Sequence, residues 1–154
     1  MHPQEFIAKI APAAQRSAME TGVFASLIIA QAALESGWGK TTPLDHKSKK
    51  ESNNLFGIKG EGPAGYIECP HWEFENGREV WRMAKFRRYH NYEESIEDHK
   101  ELMLKDRYRP VREAATPDEA AHRLYQAGYA TDPRYAQKLI SIMKKYNLYQ
   151  YDND

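Results

Sequence analysis

Glu35 closes an almost unbroken apolar run, Ala25 to Leu34, and is followed at once by Ser36 and Gly37. The run is rich in good helix formers and Gly37 is a helix-stopping residue, so Glu35 is expected in the last turn of a helix. There the negative end of the helix macrodipole opposes ionisation, and Leu34 and Trp38 are close enough in sequence to desolvate the carboxyl. Both influences favour the neutral acid, the form that protonates a leaving-group oxygen. A solitary glutamate at a helix end ordinarily reads as a solvated surface acid. The apolar run before it separates Glu35 from that reading.

Acid-catalysed cleavage of a glycosidic bond commonly uses a second carboxylate, which activates water or stabilises an oxocarbenium-like centre. Glu73 is the favoured candidate. Glu75-Asn76-Gly77-Arg78 is the strongest short hairpin signal in the chain. A two-residue loop at Asn76-Gly77 sets Glu75 opposite Arg78, Phe74 opposite Glu79, Glu73 opposite Val80 and Trp72 opposite Trp81. Trp72 and Trp81 then share one face, with Glu73 on the other. Glu68, Glu75 and Glu79 are rivals on the same hairpin, and Glu73 also reads as an ordinary outward strand residue. Tyr129 follows a helix-stopping glycine and precedes Ala130-Thr131-Asp132-Pro133. A phenol displayed by such a turn suits an acetamido group or a water, the alternative being a tyrosine snorkelling at a core edge.

The elements that must position these groups follow from periodicity and punctuation. Pro3, then Phe6, Ile7, Ile10 and Ala14, predict an amphipathic helix ending near Thr21-Gly22. The helix carrying Glu35 comes next. Lys40 to Asn53 is polar and turn-rich and reads as a surface loop, its lysines as a solvated stretch. Asn53-Asn54-Leu55-Phe56-Gly57-Ile58-Lys59-Gly60 is a short apolar segment leading into the hairpin, whose second strand is expected to continue through Phe86 towards Tyr89. Asn91 with Glu94 caps a helix through Leu104. Pro110 starts a short helical piece. Thr116-Pro117-Asp118-Glu119 is a sharp helix start with Gly128 as its stop, and Asp132-Pro133 opens a last helix lined by Ala136, Leu139, Ile140 and Met143.

The chain has 154 residues, with 22 basic against 22 acidic side chains. That length builds one domain with a proper core, and residues 1–154 are read as a single catalytic domain. The balanced charge gives no broad attraction to nucleic acid or to an acidic membrane surface. Ten tyrosines and three tryptophans suit a carbohydrate-facing groove and equally suit a core. Cys69 is the one cysteine, so no disulfide within the chain and no cysteine-based metal site is expected. The histidines at 2, 46, 71, 90, 99 and 122 lack ligand spacing, so no metal and no cofactor are expected. No stretch approaches the ~20 apolar residues of a membrane span. The start, Met1-His2-Pro3-Gln4-Glu5, lacks the basic and apolar regions of a signal peptide, which leaves another export route or a removed leader.

Six segments together carry a family resemblance: Ala30-Gln31-Ala32-Ala33-Leu34-Glu35-Ser36-Gly37-Trp38-Gly39-Lys40, Asn53-Asn54-Leu55-Phe56-Gly57-Ile58-Lys59, Trp72-Glu73-Phe74-Glu75-Asn76-Gly77, Phe86-Arg87-Arg88-Tyr89, Tyr92 to Asp98, and Ala127-Gly128-Tyr129-Ala130-Thr131-Asp132-Pro133-Arg134-Tyr135-Ala136. In this order they resemble the bacterial glucosaminidase domain of glycoside hydrolase family 73, found in flagellar muramidases, autolysins and phage lysins. The resemblance implies an α+β, mainly helical, lysozyme-like domain with a small β-hairpin lobe. It also implies cleavage of the β-1,4 bond after N-acetylglucosamine in peptidoglycan glycan strands. By position in the motifs Glu35 is the general acid, Glu73 the second carboxylate and Tyr129 the active-site tyrosine, while Asn54 and Phe56 line the groove. Phe56, Trp72 and Tyr129 are expected to stack on sugar faces, with Asn54 and the Tyr129 hydroxyl bonding an acetamido group.

Family members usually carry a leader, wall-binding repeats or a flagellar domain, and this sequence shows none. A stand-alone domain of this size fits a phage or prophage lysin, or a secreted remodelling enzyme reduced to its catalytic part. It is expected to act as a monomer in the periplasm or extracellular wall. A lytic transglycosylase shares the fold and the Glu-Ser-Gly helix end but works with one glutamate. A glycan-binding or phage structural subunit without catalysis is the reading from another class, and Glu35 argues against it.

Overall fold

Ala25 to Ala33 are all buried, because a helix that is apolar all round has no face to give to water. They form most of α2 (Ala25–Ser36), the central element of the computed structural model, which describes residues 1–152. Helix α1 (Pro3–Thr21), α5 (Pro117–Gln126), α6 (Tyr135–Lys145) and the C-terminal 3₁₀ turn (Leu148–Asp152) pack around it. Helix α3 (Tyr92–Met103) packs on α1, and a 3₁₀ turn (Asp106–Tyr108) leads into the short α4 (Arg109–Arg112) beside α5. One hydrophobic core joins these helices. No helix among the described residues is long and apolar enough to cross a membrane.

The punctuation expected from sequence is what ends and starts these helices. Gly22, Gly37 and Gly128 all take positive φ just beyond a helix end. Gly37 has little alternative: a Cβ there would sit 2.9 Å from the Thr41 hydroxyl. Asn91 and Thr116 cap α3 and α5 by accepting the Glu94 and Glu119 amides. Their partners reach back one residue further than expected, Glu94 to the His90 amide and Glu119 to that of Ala115. Helix α2 has no side-chain cap at Phe24. Asp152, 126 residues away, accepts from both the amide and the hydroxyl of Ser26 and supplies the negative charge at its N-terminus.

The remaining element is a two-stranded antiparallel hairpin, β1 (Tyr66–Glu75) and β2 (Arg78–Arg87). Its register is the one read from sequence, Trp72 opposite Trp81 and Glu73 opposite Val80. Asn76 and Gly77 both take positive φ (53° and 77°), as a two-residue type I′ turn requires. The second strand stops at Arg87 rather than continuing to Tyr89, because the Gly65 amide turns back to Gly62 and the Tyr89 amide leaves the ladder. The Arg88 amide bonds the Gly65 carbonyl and the buried Tyr89 bonds that of Ser52.

The root of the hairpin is tied down. Asp98 of α3 accepts from the Arg87 guanidinium (2.8 Å) and the Tyr89 hydroxyl (2.5 Å), while Ile67, Ala84 and Phe86 form a small cluster of their own. The polar loop before it docks through Asp45, which accepts the amides of Lys47, Ser48 and Glu68. These three amides hold the Asp45 carboxyl well below its ordinary range. The tip is different: Phe74, Trp81 and Met83 are exposed there.

Candidate active site

An open cleft of about 800 Å³ runs between the helical lobe and the hairpin, within the size range of small-molecule sites. Leu34 and Glu35 of α2, Phe56 to Ile58, His71 of β1, the turn Gly128–Asp132 and Tyr135 of α6 form its walls. Glu35 is open to solvent along the mouth, yet protein crowds its other sides. That desolvation pushes its carboxyl above the ordinary glutamate value, with the Tyr135 hydroxyl acting in the opposite direction. The expected contribution of Trp38 is not realised. The left-handed backbone at Gly37 and Trp38 turns the indole onto Phe6 and Tyr146, outside the cleft wall, whereas Leu34 lines the cleft with Glu35.

Tyr129 stands beside Glu35. It stacks on Tyr135 (5.9 Å between ring centroids) and meets Tyr108 edge-on, its ring half-buried and its hydroxyl turned inward. Burial and the nearby Glu35 raise this phenol far above its ordinary value, so it stays protonated and able to donate. Arg107 secures the turn by donating to the carbonyls of Ala127 (2.7 Å) and Gly128 (2.8 Å). Gly128 leaves room for it, since a Cβ there would lie 2.7 Å from the guanidinium.

The other sequence-derived residues fall in different places. Phe56 reaches the cleft wall but is buried, its ring stacked on His99 at 4.1 Å. Asn54 lies outside the cleft wall. It is buried, donates to the carbonyls of Ile58 and Arg87, and accepts the Ile58 amide. An amide so occupied holds the loop against the hairpin root and has none of its bonding capacity facing substrate. Trp72 is also outside the cleft wall. Strand alternation forces this: His71 points into the cleft, so Trp72 points to the opposite face, stacked on Trp81 at 4.1 Å. Glu73 shares the His71 face but is held by Lys59 (2.5 Å), with His71 at 3.7 Å. The Lys59 bond contributes most to keeping its carboxyl below the ordinary value, with a smaller contribution from the His71 side. Its rival Glu75 is likewise paired, with Arg82 at 2.6 Å.

Several cleft groups were not anticipated. Asp132 lines the cleft with Glu35, ionised by its pairing with Lys138 (2.6 Å) and the Arg134 amide. His71 is the hairpin's side chain in the cleft wall. Behind Glu35, Gln31 donates to the Tyr135 hydroxyl (3.1 Å) and faces His99 at 3.0 Å, all three buried. A signal for Gln31 was present: a lone amide inside an apolar helix must find buried partners, and it lies one turn before Glu35 on the same face. No signal paired it with positions 99 and 135. Among the described residues no three His, Cys, Asp or Glu side chains come together to hold a metal ion.

A mainly helical domain with a hairpin beside a cleft, and one desolvated glutamate in its wall, is the architecture of a carboxylate glycoside hydrolase. Residues 11–148 match the glucosaminidase family model, described as mannosyl-glycoprotein endo-beta-N-acetylglucosaminidase. The chain belongs to this family, glycoside hydrolase family 73. It is 39% identical to the exo-glucosaminidase LytG of Bacillus subtilis, over 97% of this chain and 53% of that protein. It is 40% identical to the peptidoglycan hydrolase FlgJ of Escherichia coli K12, over 91% of this chain and 45% of that protein. It thus spans about half the length of these two relatives. Among solved structures, the catalytic domain of the Listeria monocytogenes autolysin Auto superposes with a TM-score of 0.84 at 34% identity, over 97% of this chain and 87% of that one. A truncated glycoside hydrolase domain of Salmonella typhimurium FlgJ gives 0.78 at 39% identity, over 95% and 98%.

Proposed function

We propose that this chain hydrolyses the β-1,4 bond after N-acetylglucosamine in peptidoglycan glycan strands, acting as a monomer in the periplasm or cell wall. The observation that carries this reading is the Glu35 carboxyl. It lies at the end of a buried helix, where desolvation shifts it towards the neutral acid, and it is open on the cleft side. Glu35 protonates the departing sugar oxygen. Tyr129, lining the cleft beside that acid, positions the acetamido group or the incoming water. Glu73 serves as the second carboxylate from the hairpin face that carries His71, after exchanging Lys59 for substrate. The cleft is open to solvent along its mouth.

One observation favours a second reading, a lytic transglycosylase. Glu73 is ion-paired outside the cleft wall, which leaves Glu35 as the one raised carboxyl there. Digestion of purified peptidoglycan, with borohydride reduction of new ends and mass spectrometry, separates the readings. Reduced N-acetylglucosamine ends are expected. Ends at N-acetylmuramic acid would indicate a muramidase, and 1,6-anhydromuramyl ends a transglycosylase. Little turnover is expected on chitobiose-sized sugars, because remote contacts along the cleft are what orient the reacting bond.

A further inference from the structure

Gln31, Tyr135 and His99 form a continuous buried chain of polar groups that ends beside Glu35. Its bonding polarity can be worked out. The Gln31 amide nitrogen donates to the Tyr135 oxygen, so its carbonyl must accept from His99 Nε2. His99 is then the Nε2–H tautomer, and its buried, unpartnered Nδ1 carries a lone pair rather than a proton. The reverse assignment would strand a buried N–H without an acceptor, which costs more. Burial holds His99 neutral, pushing it down to about 3. With its oxygen occupied by Gln31, the Tyr135 hydroxyl has its own proton to give. Gln31 and Glu35 are one turn apart on the same face of α2, and the Glu35 carboxyl lies beside the Tyr135 hydroxyl as an acceptor for that proton.

We propose that Tyr135, oriented by Gln31 and His99, is a positioning residue that donates a hydrogen bond to the Glu35 carboxylate formed as the acid gives up its proton. This rests on Glu35 being the general acid. The proton lost by Glu35 goes to the leaving sugar oxygen, and the Tyr135 proton stays on its phenol throughout. The relay thus stabilises the charge that appears during reaction, in a place where water is partly excluded. It also fixes the carboxyl's orientation through groups that are themselves locked by packing.

The sign of its effect is specific. A donor to the carboxylate lowers the acid's pKa, so its removal raises it and moves the alkaline limb of the kcat profile to higher pH. The other charged groups facing this cleft are Asp132 with Lys138 from α6 and its turn, Arg107, and His71 from β1; the phenols are Tyr129 and Tyr108. All are retained in the variants below; Tyr129, which Gln31 and Tyr135 both touch, is the one whose surroundings change, and the Glu35 NMR titration reads the carboxyl separately from it.

The test is Tyr135→Phe, which keeps the ring, together with Gln31→Leu and the double variant. Two readouts are used: the pH profile on peptidoglycan, and carboxyl ¹³C NMR titration of Glu35 in the intact protein, assigned through Glu35→Gln. The NMR readout is independent of turnover. In both single variants the Glu35 midpoint should rise by about half a unit to one unit, the ordinary size of a hydrogen-bond effect, with kcat falling several-fold. The double variant should shift no further than the larger single, since both break one chain. A midpoint that stays or falls in Tyr135→Phe overturns the donor assignment. A midpoint raised in Tyr135→Phe but unchanged in Gln31→Leu overturns the orienting role of Gln31. Full activity of Glu35→Gln would instead reject the reading of Glu35 itself, whatever the midpoints do.

Discussion

Glu35 and Glu73 are carried by elements of opposite character. Glu35 ends a helix whose residues Ala25 to Ala33 are buried, and its surroundings are locked by Tyr129, Tyr135 and the polar chain behind them. Glu73 sits on a two-stranded hairpin whose root is bound to α3 but whose tip exposes Phe74 and Trp81. The first carboxyl is raised by desolvation, the second lowered by an exposed lysine. The helical lobe therefore fixes the surroundings of the proposed proton donor before substrate arrives. Glu73, proposed as the second carboxylate, is held only by an exposed ion pair that salt screens, so it is free to change partners.

The largest expected effect is on the rigid side. Glu35→Gln keeps size and shape but cannot deliver an acidic proton, so kcat should fall by at least ~100-fold with thermal unfolding little changed. Tyr129→Phe should cost less, because it leaves the acid in place. Near-normal turnover in Glu35→Gln would break the comparison at its first term. With the neutral Glu35 carboxyl as the proposed acid, kcat should also decline as pH rises through the Glu35 value, and this limb should vanish from any residual activity of the variant.

The hairpin comes next. Glu73→Gln should lower kcat by roughly 10- to 100-fold, more than Glu75→Gln, Glu79→Gln or Asp132→Asn. If Asp132→Asn is the most damaging, the second carboxylate belongs to the helical lobe and the contrast between lobes collapses.

Stability probes the rigid side again. His99 is neutral when folded and has an ordinary value of about 6.5 when unfolded. Between that value and about 3 the unfolded chain binds the extra proton, so this contribution is complete above pH 6.5 and is lost as pH falls. The loss should reach roughly 1.4 kcal/mol per pH unit at most. Urea unfolding at pH 7, 6, 5 and 4 should show a shallower decline in His99→Gln than in the wild type; parallel declines would contradict a buried neutral histidine.

The smallest effect is expected at Trp72. Its ring faces away from the cleft, so Trp72→Ala should change kcat/KM by about twofold, the size typical of surface substitutions. A loss larger than that of His71→Ala would mean that the aromatic face of the hairpin is the one substrate touches.

The sequence carried local structure well because its signals are local. Helix stops at Gly22, Gly37 and Gly128, caps at Asn91 and Thr116, and the Asn76-Gly77 turn with its full register depend only on residues a few positions apart. The same register already implied that Trp72 and Glu73, adjacent on a strand, do not both face the cleft. The direction of the hairpin was the missing fact. It depends on how the root seats against Asp98 and Asn54, and that is not a property of the strands. Asn54 shows the converse: its motif marks it as a groove residue, while its three bonds to backbone identify it as the clasp between loop and strand.

By itself, then, the sequence determined the elements, their ends, the hairpin register and an acid at the C-terminal end of an apolar helix, because propensity, capping and turn geometry act over a few residues. Only the tertiary structure decided which groups meet. Asp152 caps a helix 126 residues earlier in the chain. Leu34, not Trp38, lines the cleft with Glu35, and positions 31, 99 and 135 join behind it. A polar side chain inside a helix requires a buried partner, but the choice of partner follows from how the helices pack.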